Sequence, residues 1–144
     1  MPTVNRSALV RHTPQQMFEL VNDFESYPDF LPGCRRARLV ERDEVHLIGE
    51  MTLGRAGIEQ TITTRNDLYT PERIEMSLVS GPFKRLKGRW RFIPMGEDAC
   101  QVSLEMEFEF ANRLLSMAFG KLFQQIAGQL VDAFTKRANE LYGR

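Results

Sequence analysis

The side chains able to do covalent or proton-transfer chemistry are few and scattered. His12 and His46 are the only histidines, one beside an expected helix start and one on the outer face of an expected strand. Neither falls in a metal or nucleophile motif, so each reads as a surface histidine. Cys34 and Cys100 lie far apart and form no CxxC or Cys/His cluster, which indicates neither a disulfide framework nor a zinc site. Cys100 alternates with apolar neighbours and reads as core, whereas Cys34 ends a proline-rich turn. There is no glycine-rich phosphate loop, no HExxH and no GxSxG, and no carboxylate pair is expected on an apolar face. The expected sets of catalytic residues, metal ligands and cofactors are therefore empty.

What the chain offers instead is binding chemistry. Ile58, Gln60, Ile62, Thr64, Asn66 and Leu68 share one parity, so three polar groups alternate with apolar ones on a face that should be buried. A bulge or register shift would explain them without a ligand; otherwise they hold a bound water or a ligand carbonyl. Arg85, Lys87, Arg89 and Arg91 also share a parity, a spacing suited to phosphates. Glu105, Glu107 and Glu109 recur on the next stretch and Glu75 on the previous one, so this row is expected to neutralise itself across strands. Arg35, Arg36, Arg38 and Arg42 have no obvious acidic row opposite and are the less neutralised basic patch. Over the whole chain, 19 basic residues balance 19 acidic ones, which disfavours a DNA-binding domain.

The elements that must position these groups follow from periodicity. TVNRSALVRH reads as a first strand. Thr13, Pro14 and Gln16 then form a helix start, with Thr as the cap, Pro in the first turn and Gln reaching back. Met17, Phe18, Leu20 and Val21 give the helix its apolar face, and Pro28 and Pro32 break the segment that follows. From Cys34 to Ala111 the period is two, with turn signals at Arg42 to Glu44, Gly54 to Gly57, Thr70 to Glu72, Gly81-Pro82 and Pro94 to Gly96, predicting six antiparallel strands. Their inward sets are Met51 and Leu53; Ile58 and Ile62; Ile74, Met76 and Leu78; Leu86, Trp90 and Phe92; Met106, Phe108 and Phe110. After Asn112, apolar residues at three- and four-residue spacing predict one amphipathic helix of nearly thirty residues. An antiparallel sheet with one apolar face must be covered, and only this helix is large enough to do it. The chain, 1–144, reads as one α+β domain with a helix-grip fold: about seven strands curved around a long C-terminal helix, with a short helical segment after the first strand. The absence of a long apolar run or a signal-peptide pattern predicts a cytoplasmic protein.

Four segments, FESYPDFLPGC (24–34), GIEQTITTRN (57–66), GPFKRLKGRWRFIP (81–94) and FEFA (108–111), resemble the coenzyme Q-binding START-like family, and within it the bacterial ribosome association toxin group, RatA. The likeness runs essentially end to end. It implies a non-enzymatic cavity protein that binds a polyprenyl quinone or similar lipid and supports respiratory electron transport. The alternative it carries is a toxin that binds the large ribosomal subunit and blocks subunit joining; a cyclase-like enzyme ranks third.

For the lipid reading, the expected wall takes Met51, Gln60, Ile62, Thr64, Asn66, Leu78, Trp90, Phe92, Met106 and Phe108 from the sheet and Phe119, Leu122, Phe123 and Ile126 from the last helix. Phe24, Tyr27, Phe30, Leu31 and Pro32 are expected as a lid beside the start of that helix, where Leu114 and Met117 point away from the main stripe. Either the lid segment packs over those two residues, or they border an apolar mouth that makes transient contact with the inner membrane. For the ribosome reading, the expected contacts are Arg35, Arg36, Arg38 and Arg42.

Overall fold

The computed structural model of the chain describes residues 2–55 and 57–143; Ala56, within the turn expected at Gly54 to Gly57, lies outside them. The order is β1 (Thr3–Val10), α1 (Pro14–Asn22), a 3-10 segment (Phe24–Asp29), β2 (Cys34–Arg42), β3 (His46–Arg55), β4 (Ile58–Tyr69), β5 (Arg73–Ser80), β6 (Phe83–Pro94), β7 (Cys100–Phe110), α2 (Arg113–Gly128) and α3 (Leu130–Tyr142). The seven strands form one antiparallel sheet in the order β1-β7-β6-β5-β4-β3-β2, whose inner face packs against the C-terminal helices. This is the helix-grip architecture. None of the described helices is long and apolar enough to cross a membrane.

Local chemistry sets the boundaries. Thr13 Oγ1 accepts the Gln16 N–H at 3.1 Å while Gln16 Oε1 accepts the Thr13 N–H at 2.9 Å, so α1 starts with a reciprocal capping box. Asn112 Oδ1 accepts the Leu115 N–H at 2.8 Å and starts α2 in the same manner. The C-terminal helical run is not continuous as periodicity predicts. It is interrupted at Gln129, whose N–H turns back to the Ile126 carbonyl, so α2 and α3 are separate segments. Apolar spacing carries through such a one-residue break, which is why the pattern does not register it.

The inner face holds two aromatic clusters. Under α2, Phe123 packs edge-on to Phe83, Phe108 and Phe110, and Phe119 meets Phe110. Under α3, Phe134 packs edge-on to Trp90, Tyr27 and Phe30. The 3-10 segment therefore docks on α3 and not beside the start of α2. Leu114 and Met117 stay 75% and 76% exposed, with no lid over them.

Candidate functional site

Between the two clusters lies a cavity of about 60 Å³. Its sheet wall comprises Met51, Leu53, Ile62, Thr64, Asn66, Met76, Leu86, Trp90 and Met106; Phe123, Ile126, Ala127, Leu130 and Phe134 close it from the helices, and Phe24 and Tyr27 of the 3-10 segment with Leu31 just after it close the remaining side. Strand parity thus brings Thr64 and Asn66 to the cavity. Both are buried, and Asn66 Oδ1 has no hydrogen-bond partner. An unpaired buried amide oxygen costs about 1–3 kcal/mol, so a polar group in this apolar wall invites a donor.

Several expected wall residues lie elsewhere. Gln60 is only half-buried, and Ile58, at the start of β4, is exposed. Leu78 falls where β4 and β5 shift register between Thr63 and Thr64, and it leaves the cavity. Phe92, Phe108 and Phe119 are fully buried core, used to pack aromatic neighbours rather than to border space. Leu122 is half-buried on the flank of α2, Phe30 sits between Tyr27, Phe134 and the Arg137 guanidinium, and Pro32 is exposed. Leu53, Met76 and Leu86 belong to the inward sets without having been assigned to the wall. Phe134 lies on the apolar stripe of the last helix, but only the docking of the 3-10 segment shows that it faces the cavity.

The lid is held by two close approaches. A methyl group at Gly49 would stand 2.6 Å from the Phe24 ring, so Phe24 lies directly on the backbone of β3. Gly33, at φ +81°, turns the chain back into β2, and a methyl there would meet Ile126 Cδ1 at 2.6 Å. The Tyr27 hydroxyl donates to the Val21 carbonyl, one of the acceptors left open at the end of α1. Burial pushes this phenol well above its ordinary range, with Cys34 and Asp23 adding to the effect. Cys34 is itself buried and donates from Sγ to the Arg36 carbonyl at 3.6 Å; burial pushes its thiol up to about 11, so it is protonated at neutral pH.

The outer surface settles the charge patterns. Lys87 and Arg89 stand opposite Glu107 and Glu105 in register, Arg85 Nε lies 3.4 Å from Glu109, and Glu75 accepts from Arg89 at 2.7 Å and Arg73 at 3.0 Å. Arg85, Lys87 and Arg89 thus face acids, as parity predicts, whereas Arg91 stands opposite Ser103 on β7 and Arg73 on β5. The second basic patch is corrected. Arg35 and Arg36 both reach Glu59, at 3.6 and 3.4 Å, and Arg38 reaches Glu50 at 3.4 Å, so acids do lie opposite. A register shift between Leu39 and Glu41 then inserts Val40 and sends Arg42 to the other face of β2, away from Arg36 and Arg38. The four arginines do not form one patch.

The two histidines are also not surface residues. His12 is 2% exposed and bonds Asn139 Oδ1 at 2.9 Å, tying β1 to α3. His46 lies on the outer face but is only 9% exposed, because Glu41 meets Nε2 at 2.6 Å and Asp43 meets Nδ1 at 3.0 Å. Among the described residues no three His, Cys, Asp or Glu side chains converge as a metal site would require.

With this geometry, the chain can be set beside known proteins. Residues 10–135 match the family described as polyketide cyclase/dehydrase and lipid transport. The ribosome association toxin RatA of Vibrio cholerae is 48% identical over 143 residues, covering 99% of each chain. The mitochondrial coenzyme Q-binding protein COQ10 homolog B of Xenopus laevis is 26% identical over 144 residues, covering 97% of this chain and 59% of that longer one. The ZhuI aromatase/cyclase of Streptomyces sp. R1128 superposes with a TM-score of 0.80 over 96% of this chain and 93% of its own at 18% identity, a likeness of fold alone. The chain belongs to the polyketide cyclase/dehydrase and lipid transport family and, within it, groups with the ribosome association toxins.

Proposed function

We propose that this chain associates with the ribosome through its outer surface and acts by occupying a binding face rather than by catalysis. The observation that carries this is the 48% identity, end to end, to a protein named for ribosome association. Cavity size and chemistry support it. A volume of about 60 Å³ is well below the roughly 300–1,000 Å³ of small-molecule pockets. Among the described residues the only ionisable side chain on the cavity wall is Tyr27, and its hydroxyl is committed to Val21.

Arg36 and Arg38 are the arginines to test first. They project from the outer face of the edge strand β2, and Glu59, shared between Arg35 and Arg36, neutralises only one of that pair. Purified ribosomal subunits sedimented through sucrose with added protein provide the assay. The protein is expected to travel with the large subunit and to deplete joined ribosomes. Arg36→Glu/Arg38→Glu is expected to weaken both effects by roughly tenfold, since two phosphate contacts become repulsions. Undiminished inhibition by that variant removes these arginines from the interface, and wild-type protein that stays at the top of the gradient overturns the proposal.

A second reading, a hydrophobic-ligand carrier, is favoured by the unpartnered Asn66 amide and by the COQ10 relative. A polyprenyl quinone would need the lid and the Met51, Met76 and Met106 side chains to move apart, with apolar burial worth about 25 cal/mol per Å² driving entry. Native mass spectrometry and lipid extraction of protein purified from its own host test it: a bound quinone supports the carrier, and an empty protein rejects it. The first reading places the protein with ribosomes in the cytoplasm; only the second adds peripheral contact with the inner membrane.

A further inference from the structure

Away from the cavity, α1, the β2–β3 turn and the last turn of α3 enclose an open groove of about 580 Å³. Glu19 and Asp23 line it from α1 and its C-terminal cap, and Asp43 and Glu44 from the β2–β3 turn; Arg42, delivered there by the bulge at Val40, is the single strong cation among the described residues. Among the described residues, four carboxylates against one guanidinium make this a locally acidic site on a chain of zero net charge. Glu19 and Asp23 bond only neutral side chains, Gln15 at 2.8 Å and Ser26 at 2.7 Å, and His46 sits on Asp43. The carboxylates act on their surroundings: burial and then the charges of Glu19 and Asp23 push up the Tyr142 phenol at the groove wall.

A second observation points to an occupant. Asn22 lines the groove at 6% exposure, and its Oδ1 has no hydrogen-bond partner. That atom can only accept, so it calls for an N–H or O–H. Phe18, Leu20, Leu68 and Leu141 add apolar surface to the same lining. Methylene stems on apolar surface, cationic heads on carboxylates and an N–H for Asn22 together describe lysine and arginine side chains. A divalent ion is disfavoured because no three acidic or histidine side chains converge among the described residues. RNA and anionic membranes carry the wrong charge. The groove is open to solvent along α1, the β2–β3 turn and the end of α3, which gives a polypeptide segment access to it.

We propose that this groove docks a lysine- and arginine-rich segment of a protein partner. This does not depend on the ribosome reading, and it uses a different surface from Arg36 and Arg38. Fluorescence anisotropy with a labelled peptide of lysine, arginine and alanine tests it, with spermidine and anionic phospholipid vesicles as competing probes. Binding is expected to fall with added salt and to drop about tenfold in Glu19→Gln/Glu44→Gln, two exposed positions whose loss of charge leaves the core intact. Arg42→Gln is expected to bind several-fold more tightly, a gain that structural damage cannot mimic. Asn22→Leu, checked for folding by thermal melting, is expected to bind several-fold more weakly. Equal binding by the wild type and Glu19→Gln/Glu44→Gln overturns the proposal, as does stronger binding to vesicles than to the peptide. Spermidine binding as tightly as the peptide also overturns it, replacing the protein segment with a free polyamine.

Discussion

Asp43 shows how one residue can fix a surface element. Its carboxylate accepts the N–H of Val45 and of His46, both at 2.9 Å, and lies 3.0 Å from the His46 ring. The two backbone bonds, Val45 first and His46 next, hold its carboxyl below the usual range, with the His46 ring adding a little. A depressed folded-state value means that Asp43 contributes stability above the unfolded value of about 4 and loses it as pH falls through the folded one. Asp43→Asn keeps an acceptor for the turn but removes the charge. The variant is therefore expected to melt below the wild type at pH 7, with the gap narrowing below about pH 4; a gap independent of pH would show that the charge contributes nothing. Legibility at this scale divided by chemistry. Parity placed Thr64 and Asn66 inward because alternation is a backbone property. The burial of His12 and His46 was hidden because it depends on Asn139 and Glu41, residues that only the fold brings near.

Among the elements, the proline-rich segment separates what pattern can and cannot give. Pro28 and Pro32 marked the break between α1 and the strands that begin at Cys34. Where the segment docks depends on 3-10 geometry, which points Tyr27 and Phe30 at Phe134 on α3 instead of toward Leu114 on α2. Bulges are equally silent in sequence, and the one at Val40 moved Arg42 from an expected phosphate-binding patch to an acidic groove. The seat of the lid can be tested at Gly49. Gly49→Ala would bring a methyl to 2.6 Å from Phe24, so the lid must shift or strain. Overpacking of this kind typically costs about 1–3 kcal/mol. Denaturant titration is expected to show that loss, together with increased binding of an apolar dye as the cavity opens. A variant unchanged in both would place Phe24 elsewhere in solution.

For the whole molecule, topology was legible because each strand carries its own turn signals and only one helical run is large enough to cover the sheet. The cavity's volume was not. Parity gives each side chain a direction but no distance, and the space left over depends on how side chains from the sheet, the 3-10 segment, α2 and α3 close on one another. That unreadable quantity is what divides the two functional readings, and Asn66 offers a way to separate them. Asn66→Leu removes a buried amide whose oxygen lacks a partner and puts apolar atoms into the cavity. Relief of the unsatisfied group is worth about 1–3 kcal/mol, so the variant is expected to be at least as stable as the wild type in urea. A ribosome-directed protein acts through its outer face, and its effect on sedimenting subunits is then expected to survive the substitution unchanged. A carrier would bind its ligand more weakly, because the polar anchor disappears. A stable Asn66→Leu protein that no longer associates with subunits would mean that an occupied or open cavity reshapes the outer face, joining two activities that the geometry otherwise keeps apart.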